Sequence, residues 1–333
     1  MCGICGGILF DPKHLMEERI IRDMMEQLIH RGPDSEGLYC HGPIGLGHRR
    51  LSIIDLSPMG RQPMPNEDKT VFVIVNGEIY NHHTLRNDLK SKGHIFRSMS
   101  DSEVILHLYE DLGEDMLSHL FGMYSFALWD NQRKRLILAR DRVGQKPLLY
   151  SITKTGLYFG SEIKALLQCP DVEREINIEA IHHYLTLGYI PHPLTIFKGI
   201  WKLPPAHYLI WEQGKMHIKR YWDLDYQEKQ RNRPLKELET EFIECFEDAV
   251  KIRLMSDVPL GAFLSGGIDS SATVAMMSRL SSRPVKTFSI GFEDQAYDEL
   301  SYARKVARLF NTDHHEFIVR PNAAEILPKL IWH

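Results

Sequence analysis

The sequence opens with Met1-Cys2-Gly3-Ile4-Cys5-Gly6-Gly7-Ile8-Leu9-Phe10, in which a cysteine directly follows the initiator methionine. Removal of Met1 would leave Cys2 with both a thiol and a free α-amino group at the first position. A terminal amine has a pKa of about 8, so an uncharged fraction exists at neutral pH and can accept the thiol proton. Terminal Cys and Thr residues attack amides and esters in this way. The alternative is that Cys2 is an ordinary buried residue near the start of the chain.

Composition limits the possible functions without naming one. The 333 residues are enough for two domains, each with its own core. A formal net charge of -4, from 40 Lys and Arg against 44 Asp and Glu, predicts small-molecule substrates rather than nucleic acid or an acidic membrane. Five widely spaced cysteines are unlike a disulfide framework and indicate a reducing cytoplasm. The chain has neither a signal-peptide pattern nor a run of roughly 18 apolar residues, so we expect no membrane segment.

The first part of the chain is predicted to mix strands and helices. Apolar spacing predicts helices over 20–28 and 104–109, the second after the start signal Ser100-Asp101-Ser102-Glu103. Short apolar or alternating runs between Gly, Pro and Asp predict strands over 4–10, 71–75, 123–130, 135–139 and 148–152. We therefore expect a first domain of the α+β class, over residues 2–224, that closes with a hairpin at 207–222.

The second part follows a polar linker, predicted over 225–236, and is predicted to be an α/β domain over 237–333. An apolar stripe at 3.6-residue spacing predicts one long helix from 235 to 250. Beyond it the pattern reads strand, loop, helix and strand, over 258–264, 265–267, 270–280 and 285–292. This alternation predicts a parallel sheet. The chain ends after two or three such strands, so we expect an incomplete domain.

The loop Ser265-Gly266-Gly267-Ile268-Asp269-Ser270-Ser271 lies between a predicted strand and a predicted helix. A helix start presents backbone N–H groups that bind phosphate. The loop lacks the Gly-Lys-Ser/Thr ending of a Walker A motif, so transfer of a γ-phosphoryl group is not indicated. Pyrophosphate held with Mg²⁺ is the favoured ligand, with the glycines allowing close approach, the serines donating, and Asp269 offering an oxygen to the metal. The alternative is a tight turn in which Asp269 caps the helix.

Ten segments resemble, in order, the glutamine-hydrolysing asparagine synthetases and their close amidotransferase relatives. They are MCGI, RGPDS, HRRLSIIDLS, VNGEIYN, SDSEVILHLYE, GMYSFALWD, RDRVGQKPLLY, FGSEIKALL, SGGIDSS and FSIGF. The resemblance implies a fold and an activity for each half of the chain. It implies first an N-terminal-nucleophile glutaminase, a four-layer αββα sandwich, and then an incomplete α/β ATP-pyrophosphatase domain.

For the first domain the resemblance implies that Cys2 attacks the glutamine side-chain amide. Arg49 would bind the substrate carboxylate and Asp101 its ammonium group. Asn76 and the Gly77 N–H would stabilise the developing oxyanion. The remaining expected glutamine contacts are Leu51, Ile53 and Glu78, and Arg31 and Asp34 are expected to hold the loops of the site.

For the second domain the resemblance implies that ATP, with Mg²⁺, activates a carboxylate as its adenylate and releases pyrophosphate. Ammonia from the Cys2 site would then displace AMP and convert aspartate into asparagine. The positions expected to bind ATP are Leu264, Ser265, Gly266, Gly267, Asp269, Ser270 and Ile290, with Asp269 as a possible magnesium ligand. A homodimer is expected from the family alone.

The chain departs from the family pattern in two ways. It stops at Trp332-His333, before a further glycine-rich ATP-contacting segment and the acceptor-binding residues. We therefore expect this piece to retain only the glutaminase half-reaction. Val143, Gln145 and Leu149 stand where housekeeping asparagine synthetases more often carry an aromatic, an aliphatic and an aromatic residue, which indicates a specialised paralogue.

Three alternatives stay open at this stage. The same mechanism can act on a different acceptor, such as a sugar, a peptide or a secondary-metabolite carboxylate. The chain can also be a non-catalytic binding relative, although Cys2, Arg49, Asn76 and Asp101 are all present. Finally, Cys2 and Cys5 match the Cys-x-x-Cys spacing of redox or metal pairs, but no second pair completes a zinc site. Cys5 is more simply a small buried residue on the first strand.

Overall fold

The computed structural model describes residues 1–227, 229, 232–292, 298–320 and 323–333. The chain forms two compact units, Met1–Glu228 and Lys229–His333. The boundaries that the sequence predicts, 2–224, 225–236 and 237–333, stay a prediction, and linker residues 228, 230 and 231 lie outside the described ranges. None of the helices in those ranges has the length and apolar character that crossing a bilayer requires.

The first unit consists of strands linked by short helices. Its strands are β1 (Gly3–Leu9), β2 (Ser35–His41), β3 (Ile44–Arg50), β4 (Met64–Pro65), β5 (Val71–Ile79), β6 (Gly122–Asp130), β7 (Arg135–Arg140), β8 (Leu149–Ile152), β9 (Gly156–Gly160), β10 (Ile200–Lys202), β11 (His207–Glu212) and β12 (Lys215–Arg220). Its helices are α1 (Glu18–Glu26), α2 (His82–Ser91), α3 (Glu103–Leu112), α4 (Met116–His119), α5 (Ile163–Leu166) and α6 (Ile178–Leu187).

These strands form two six-stranded antiparallel sheets. The first has the order β10-β8-β9-β1-β3-β2, and the second has the order β12-β11-β7-β6-β5-β4. Apolar side chains from both sheets meet in one core, to which Ile4 and Leu46 contribute from the first sheet and Ile74, Trp129 and Leu138 from the second. Because the alternate residues of each strand point to opposite faces, the sheets are apolar on both sides.

Helices cover the outer face of each sheet. The apolar face of α1, with Ile21 and Met25, packs on the first sheet. The helices α3 and α4 pack on the second sheet through Ile105, Leu108 and Met116. The unit is therefore a four-layer αββα sandwich, as predicted.

The predicted strands match β1 and β5 to β8 within a few residues, and the predicted hairpin at 207–222 is formed by β11 and β12. The helices predicted over 20–28 and 104–109 correspond to α1 and α3. The prediction missed β2, β3, β4, β9 and β10. The sequence of β3, Ile-Gly-Leu-Gly-His-Arg-Arg, has two glycines and a basic end instead of the β-branched residues that identify a strand.

The second unit alternates helices with a parallel sheet of strand order β13-β14-β15. Its elements are α7 (Leu235–Lys251), β13 (Gly261–Phe263), α8 (Ile268–Leu280), β14 (Lys286–Phe292), α9 (Leu300–Leu309), β15 (Asp313–Val319) and α10 (Ala323–Trp332). A small core forms around Leu264, Val274, Ala303 and Ala307. The predicted alternation is confirmed, with shifted bounds. Strand β13 is shorter than the predicted 258–264, α8 begins two residues before the predicted 270, and α7 includes residues 235 and 236 of the predicted linker.

Candidate active site

A cavity of about 260 Å³ lies at one end of the two sheets of the first unit. The residues around it come from the start of the chain, the segment after β3, the strand β5 and the turn before α3. It is lined by Met1, Cys2, Arg50, Leu51, Ile53, Ile54, Gln62, Val75, Asn76, Gly77, Glu78, Ser100, Asp101, Ser102, Met123 and Lys146. Seven of the residues predicted for the glutaminase site are among them, namely Cys2, Leu51, Ile53, Asn76, Gly77, Glu78 and Asp101.

Cys2 lies just before β1, where pairing with β3 brings it beside Leu51. The register of this pair sets Gly3 opposite Arg49. The Leu51 N–H donates to Cys2 Sγ at 3.4 Å, and the thiol lies 3.6 Å from the Leu51 carbonyl oxygen. Burial raises the pKa of the Cys2 thiol, although the backbone contact at Leu51 acts in the opposite direction. The thiol therefore needs a nearby base to become a nucleophile at neutral pH.

Arg31 and Asp34 hold the segments that carry these residues, which is the role that the sequence predicts. Arg31 Nε donates to the Cys2 carbonyl at 2.9 Å, and its Nη1 donates to Glu162 at 2.8 Å. Burial would raise the pKa of Glu162, but hydrogen bonds from Lys164, Arg31 and His30 hold that pKa at about 2. Asp34 accepts from the Ser52 N–H at 2.8 Å. Arg31 thus anchors the Cys2 backbone to a carboxylate that is ionised at neutral pH.

Asn76 is fully buried on β5 and lines the cavity, and among the described residues neither its Oδ1 nor its Nδ2 has a hydrogen-bond partner. An unsatisfied buried polar group costs about 1–3 kcal/mol, so this amide is suited to bond a water molecule or a ligand in the cavity. Next to it, a Cβ on Gly77 would lie 2.1 Å from the Met123 carbonyl oxygen. Only glycine fits this close approach of two strands, which brings the backbone itself to the cavity wall.

Asp101 precedes α3 and is buried, with 5% of its surface exposed. Its Oδ2 accepts from the Ile79 N–H at 2.7 Å. Burial raises the pKa of Asp101 to about 6, and the nearby Glu78 acts in the same direction. A cation in the cavity would favour the ionised form, because an opposite charge lowers the pKa of a buried carboxyl group.

The structure differs from the prediction at Arg49. Arg49 Nε donates to the Met25 carbonyl at 3.2 Å, and its guanidinium pairs with Glu36, so this side chain faces α1. Arg50 points to the opposite face of β3 and lines the cavity. Successive side chains of a strand point to opposite faces, so a shift of one residue exchanges the two arginines.

Arg50 is anchored but retains donors for a ligand. Its Nη1 donates to the Ser57 carbonyl at 3.1 Å, and its Nη2 donates to the carbonyls of Ile54 and Asp55. Three of the five N–H groups of a guanidinium are thereby occupied. The two others have no partner among the described residues, so they are available to a carboxylate.

Several lining residues besides Arg50 are not predicted from the sequence. They include Gln62, Ser100, Ser102, Met123 and Lys146. Lys146 is buried, and burial lowers the pKa of its ammonium while Glu78 raises it. Ser100 and Ser102 flank Asp101 in a segment already noted in the sequence, so their position next to Asp101 could have predicted that they line the cavity. For Lys146 the signal was its position in the segment GQKPLLY.

The predicted phosphate loop connects β13 to α8 in the second unit. Gly266 has a φ of +84°, and a Cβ on it would lie 2.5 Å from Tyr302 Cβ. The Ser265 and Ser270 hydroxyls lie 3.0 Å apart, and Ser270 Oγ donates to the Gly267 carbonyl at 3.2 Å. The first intrahelical bond of α8 runs from Ser271 N–H to the Gly267 carbonyl. The preceding N–H groups have no helical acceptor, as at any helix start, and can meet an anion.

A cavity of about 180 Å³ in the second unit brings together three of the residues predicted to bind ATP. Leu264, Ser265 and Ile290 line it. The others, Gly266, Gly267, Asp269 and Ser270, belong to the adjoining loop and the first turn of α8. Asp269 is exposed there, and its carboxylate is the kind of oxygen ligand that Mg²⁺ prefers.

The cysteines give no support to a redox or metal pair. All five are free thiols. Cys5 is fully buried on β1, in the core between the first sheet and α1. It is the small buried residue that the sequence favours.

Two family models match the chain, one for each unit. The glutamine amidotransferase domain matches residues 1–222, and asparagine synthase matches residues 241–333. The solved structure of an allosteric regulatory enzyme of purine biosynthesis has 18% sequence identity and a TM-score of 0.50, covering 97% of this chain and 69% of that chain. This similarity concerns the fold, and the predicted fold class is confirmed.

Curated relatives match over the full chain. Asparagine synthetase [glutamine-hydrolyzing] 1 of Bacillus subtilis is 36% identical over 100% of this chain and 52% of its own length. Putative asparagine synthetase [glutamine-hydrolyzing] 2 of Methanocaldococcus jannaschii is 38% identical over 100% of this chain and 68% of its own length. The chain spans about half the length of the Bacillus relative. The chain belongs to the family of glutamine-hydrolysing asparagine synthetases, whose asparagine synthase part uses ATP.

Proposed function

We propose that the cavity around Cys2 hydrolyses glutamine and supplies ammonia for the ATP-dependent amidation of a carboxylate, aspartate being the acceptor. The observation that carries the proposal is the unpartnered buried amide of Asn76, which lines the same cavity as the Cys2 thiol and the Asp101 carboxyl group. A thiol, an amide donor and an acid around about 260 Å³ suit a small free amino acid. A non-catalytic binding relative would have no need for the thiol.

Recognition of free glutamine needs one group that binds its α-carboxylate and another that binds its α-ammonium. The two uncommitted N–H groups of Arg50 would bind the α-carboxylate, taking the role that the sequence predicts for Arg49. Asp101 would bind the α-ammonium. Leu51, Ile53 and Glu78 would complete the wall around the substrate, and the side-chain amide of glutamine would then point toward Cys2.

Removal of Met1 precedes the reaction and leaves Cys2 with a free α-amine. That amine takes the thiol proton, and Cys2 Sγ bonds to the side-chain carbonyl carbon of glutamine. Asn76 Nδ2 and the Gly77 N–H stabilise the oxyanion. The proton passes to the leaving nitrogen, the C–N bond breaks, and ammonia departs. Water then adds to the thioester carbon, the C–S bond breaks, and glutamate leaves with the thiol restored.

The second half-reaction is assigned to the Lys229–His333 unit, as part of a longer synthetase domain. Backbone N–H groups at the start of α8 and the hydroxyls of Ser265 and Ser270 would hold the phosphates of ATP. Asp269 would offer an oxygen to Mg²⁺, and Leu264 and Ile290 would contact the nucleotide. ATP supplies the adenylate leaving group, and ammonia displaces AMP after pyrophosphate has left.

The pH dependence of glutamine hydrolysis tests Asp101. With a pKa of about 6, Asp101 is ionised above pH 6 and loses its charge as the pH falls. We expect kcat/KM for glutamine to fall about tenfold further for each unit below pH 6, in addition to the loss that protonation of the Cys2 α-amine causes in every variant, because this parameter reports the free enzyme. Glutamate release between pH 5 and 7 measures it. The Asp101→Asn variant should hydrolyse glutamine more slowly at every pH and should not show the fall of kcat/KM that Asp101 causes below pH 6. The substrate glutaramate, which has no ammonium group, should not show this fall, and a fall of equal size with glutaramate would exclude this role for Asp101.

The two neighbouring arginines provide a matched pair of variants. Arg50→Lys should raise the KM for glutamine by about tenfold or more, about 1.4 kcal/mol. Lysine keeps the charge but lacks the planar fork that three backbone carbonyls hold in place at Arg50. Arg49→Lys should leave KM within about twofold, since Arg49 faces α1 and contacts Glu36. Steady-state kinetics of both proteins, with circular dichroism as a fold control, decide the point. A larger rise of KM in Arg49→Lys than in Arg50→Lys would indicate that Arg49, and not Arg50, binds the substrate carboxylate.

A glycine of the phosphate loop and an exposed position on α8 provide the variants. Gly266→Ala should weaken ATP binding by about tenfold or more, because its φ of +84° and the close Tyr302 Cβ force the loop to move. Ala272→Ser is the control, since Ala272 is exposed on α8 beyond the loop. Isothermal titration with a non-hydrolysable ATP analogue and Mg²⁺ measures both. The assignment fails if the unmodified chain shows no saturable binding, or if both variants lose affinity equally.

A further inference from the structure

A second cluster of titratable side chains lies in the first unit and has no part in the function proposed above. It consists of Glu67, His94, His107 and Glu110, here called the His/Glu cluster. Glu67 follows β4, His94 follows α2, and His107 and Glu110 lie three residues apart on α3, where they share one helix face. Three separate segments of the chain therefore meet at this point.

The polar atoms of the cluster converge. His107 Nδ1 lies 2.9 Å from Glu110 Oε2 and 3.7 Å from Glu67 Oε2. His94 Nδ1 lies 3.3 Å from the same Glu110 Oε2. Glu67, His94 and His107 each have one possible ligand atom that lies within 4.8 Å of those of the other two. Glu67, His94 and His107 thus offer one ligand atom each to a common point, and Glu110 Oε2 contacts Nδ1 of both imidazoles.

The other atoms of these side chains are held by surrounding groups. Glu67 Oε1 accepts from the Ile95 N–H at 3.2 Å, and Glu110 Oε1 accepts from Asn66 Nδ2 at 2.7 Å. His94 Nε2 lies 3.0 Å from Asp111 Oδ1. A metal-bound imidazole usually donates its second N–H to a carboxylate, and bound carboxylates are themselves hydrogen-bonded. This arrangement leaves one oxygen of each glutamate and Nδ1 of each histidine directed at the centre.

The contact distances are compatible with a small divalent ion such as zinc. A tetrahedral zinc site with bonds of about 2.0–2.1 Å has ligands about 3.3–3.4 Å apart. The separations of 3.3 and 3.7 Å lie near that value, and the 2.9 Å hydrogen bond between His107 and Glu110 would lengthen when an ion enters. Imidazole nitrogen and carboxylate oxygen are both ordinary zinc ligands. His107 is only 1% exposed, and its Nε2 has no partner in the structure, so its Nδ1 edge carries the polar contacts of a buried ring.

Charge also favours a cation at this point. Glu67, Glu110 and Asp111 bring three carboxylates together, and Lys92 Nζ contacts Asp111 at 2.8 Å. With neutral histidines the group keeps an excess of negative charge in a partly buried place. We propose that Glu67, His94, His107 and Glu110 bind one zinc ion, which ties the segments after β4 and α2 to α3. The site goes beyond the proposed glutaminase and does not depend on it.

Zinc binding by the full chain tests the proposal. Protein stripped with a chelator and then dialysed should take up one Zn²⁺ per chain at pH 7.5, with a dissociation constant of about 1 µM or tighter in competition with a chromophoric chelator. A hundredfold excess of zinc over that constant should raise the Tm by about 5 °C or more. Glu110→Gln and His94→Gln, which approximately keep side-chain volume, should each weaken binding at least about tenfold.

The control is His217→Gln, an exposed histidine on β12 that should leave zinc affinity unchanged. Glutaminase activity is measured separately, so failure of the zinc site and failure of the glutaminase are distinguishable. Absence of saturable binding overturns the proposal. Binding of equal strength in Glu110→Gln and His94→Gln also overturns it, because the ion would then bind elsewhere on the chain.

Discussion

The antiparallel pairing of β1 with β3 is the constraint on which the candidate site depends. It sets Gly3 opposite Arg49 and so carries Cys2 to the Leu51 backbone, one residue beyond the end of β3. The pair is held from both sides, by the core between the two sheets and by α1 on the outer face. A slip of one residue would turn Arg50 away from the cavity and bring Arg49 into it, because side chains alternate along a strand.

The cavity is assembled at a cost to the unbound protein. Asn76 keeps a buried amide without partners, and burial raises the pKa of Asp101 to about 6. Each feature destabilises the empty site, and each is relieved by a ligand that offers a hydrogen-bond acceptor and a positive charge. Free glutamine offers both, from its amide oxygen and its α-ammonium. Arg50, fixed by three backbone carbonyls, would need little reorganisation to bind the carboxylate in the role we propose for it.

The sequence predicts the fold class, and it points to most of the residues that line the cavity proposed for glutamine, because Cys2, Asn76, Gly77 and Asp101 lie in segments whose order along the chain is specific. It does not predict which arginine faces the cavity. That choice depends on which side chains of β3 face the cavity. The two glycines and the basic end of β3 make this strand difficult to predict from the sequence. The sequence does not predict the His/Glu cluster either. Its three segments come together only through the packing of α2 and α3 on the second sheet.

The most direct measurement of the central claim uses the terminal cysteine itself. Chain freed of Met1, as verified by intact mass, is incubated with an electrophilic diazoketone analogue of glutamine and mapped by peptide mass spectrometry. The account predicts one adduct per chain, on Cys2, whose formation is slowed by glutamine and abolished in Cys2→Ala. Cys245→Ala, which removes an exposed thiol, should behave as the unmodified chain does. Labelling that spares Cys2 in folded, Met1-free protein, or that glutamine does not slow, would contradict a glutaminase at this cavity.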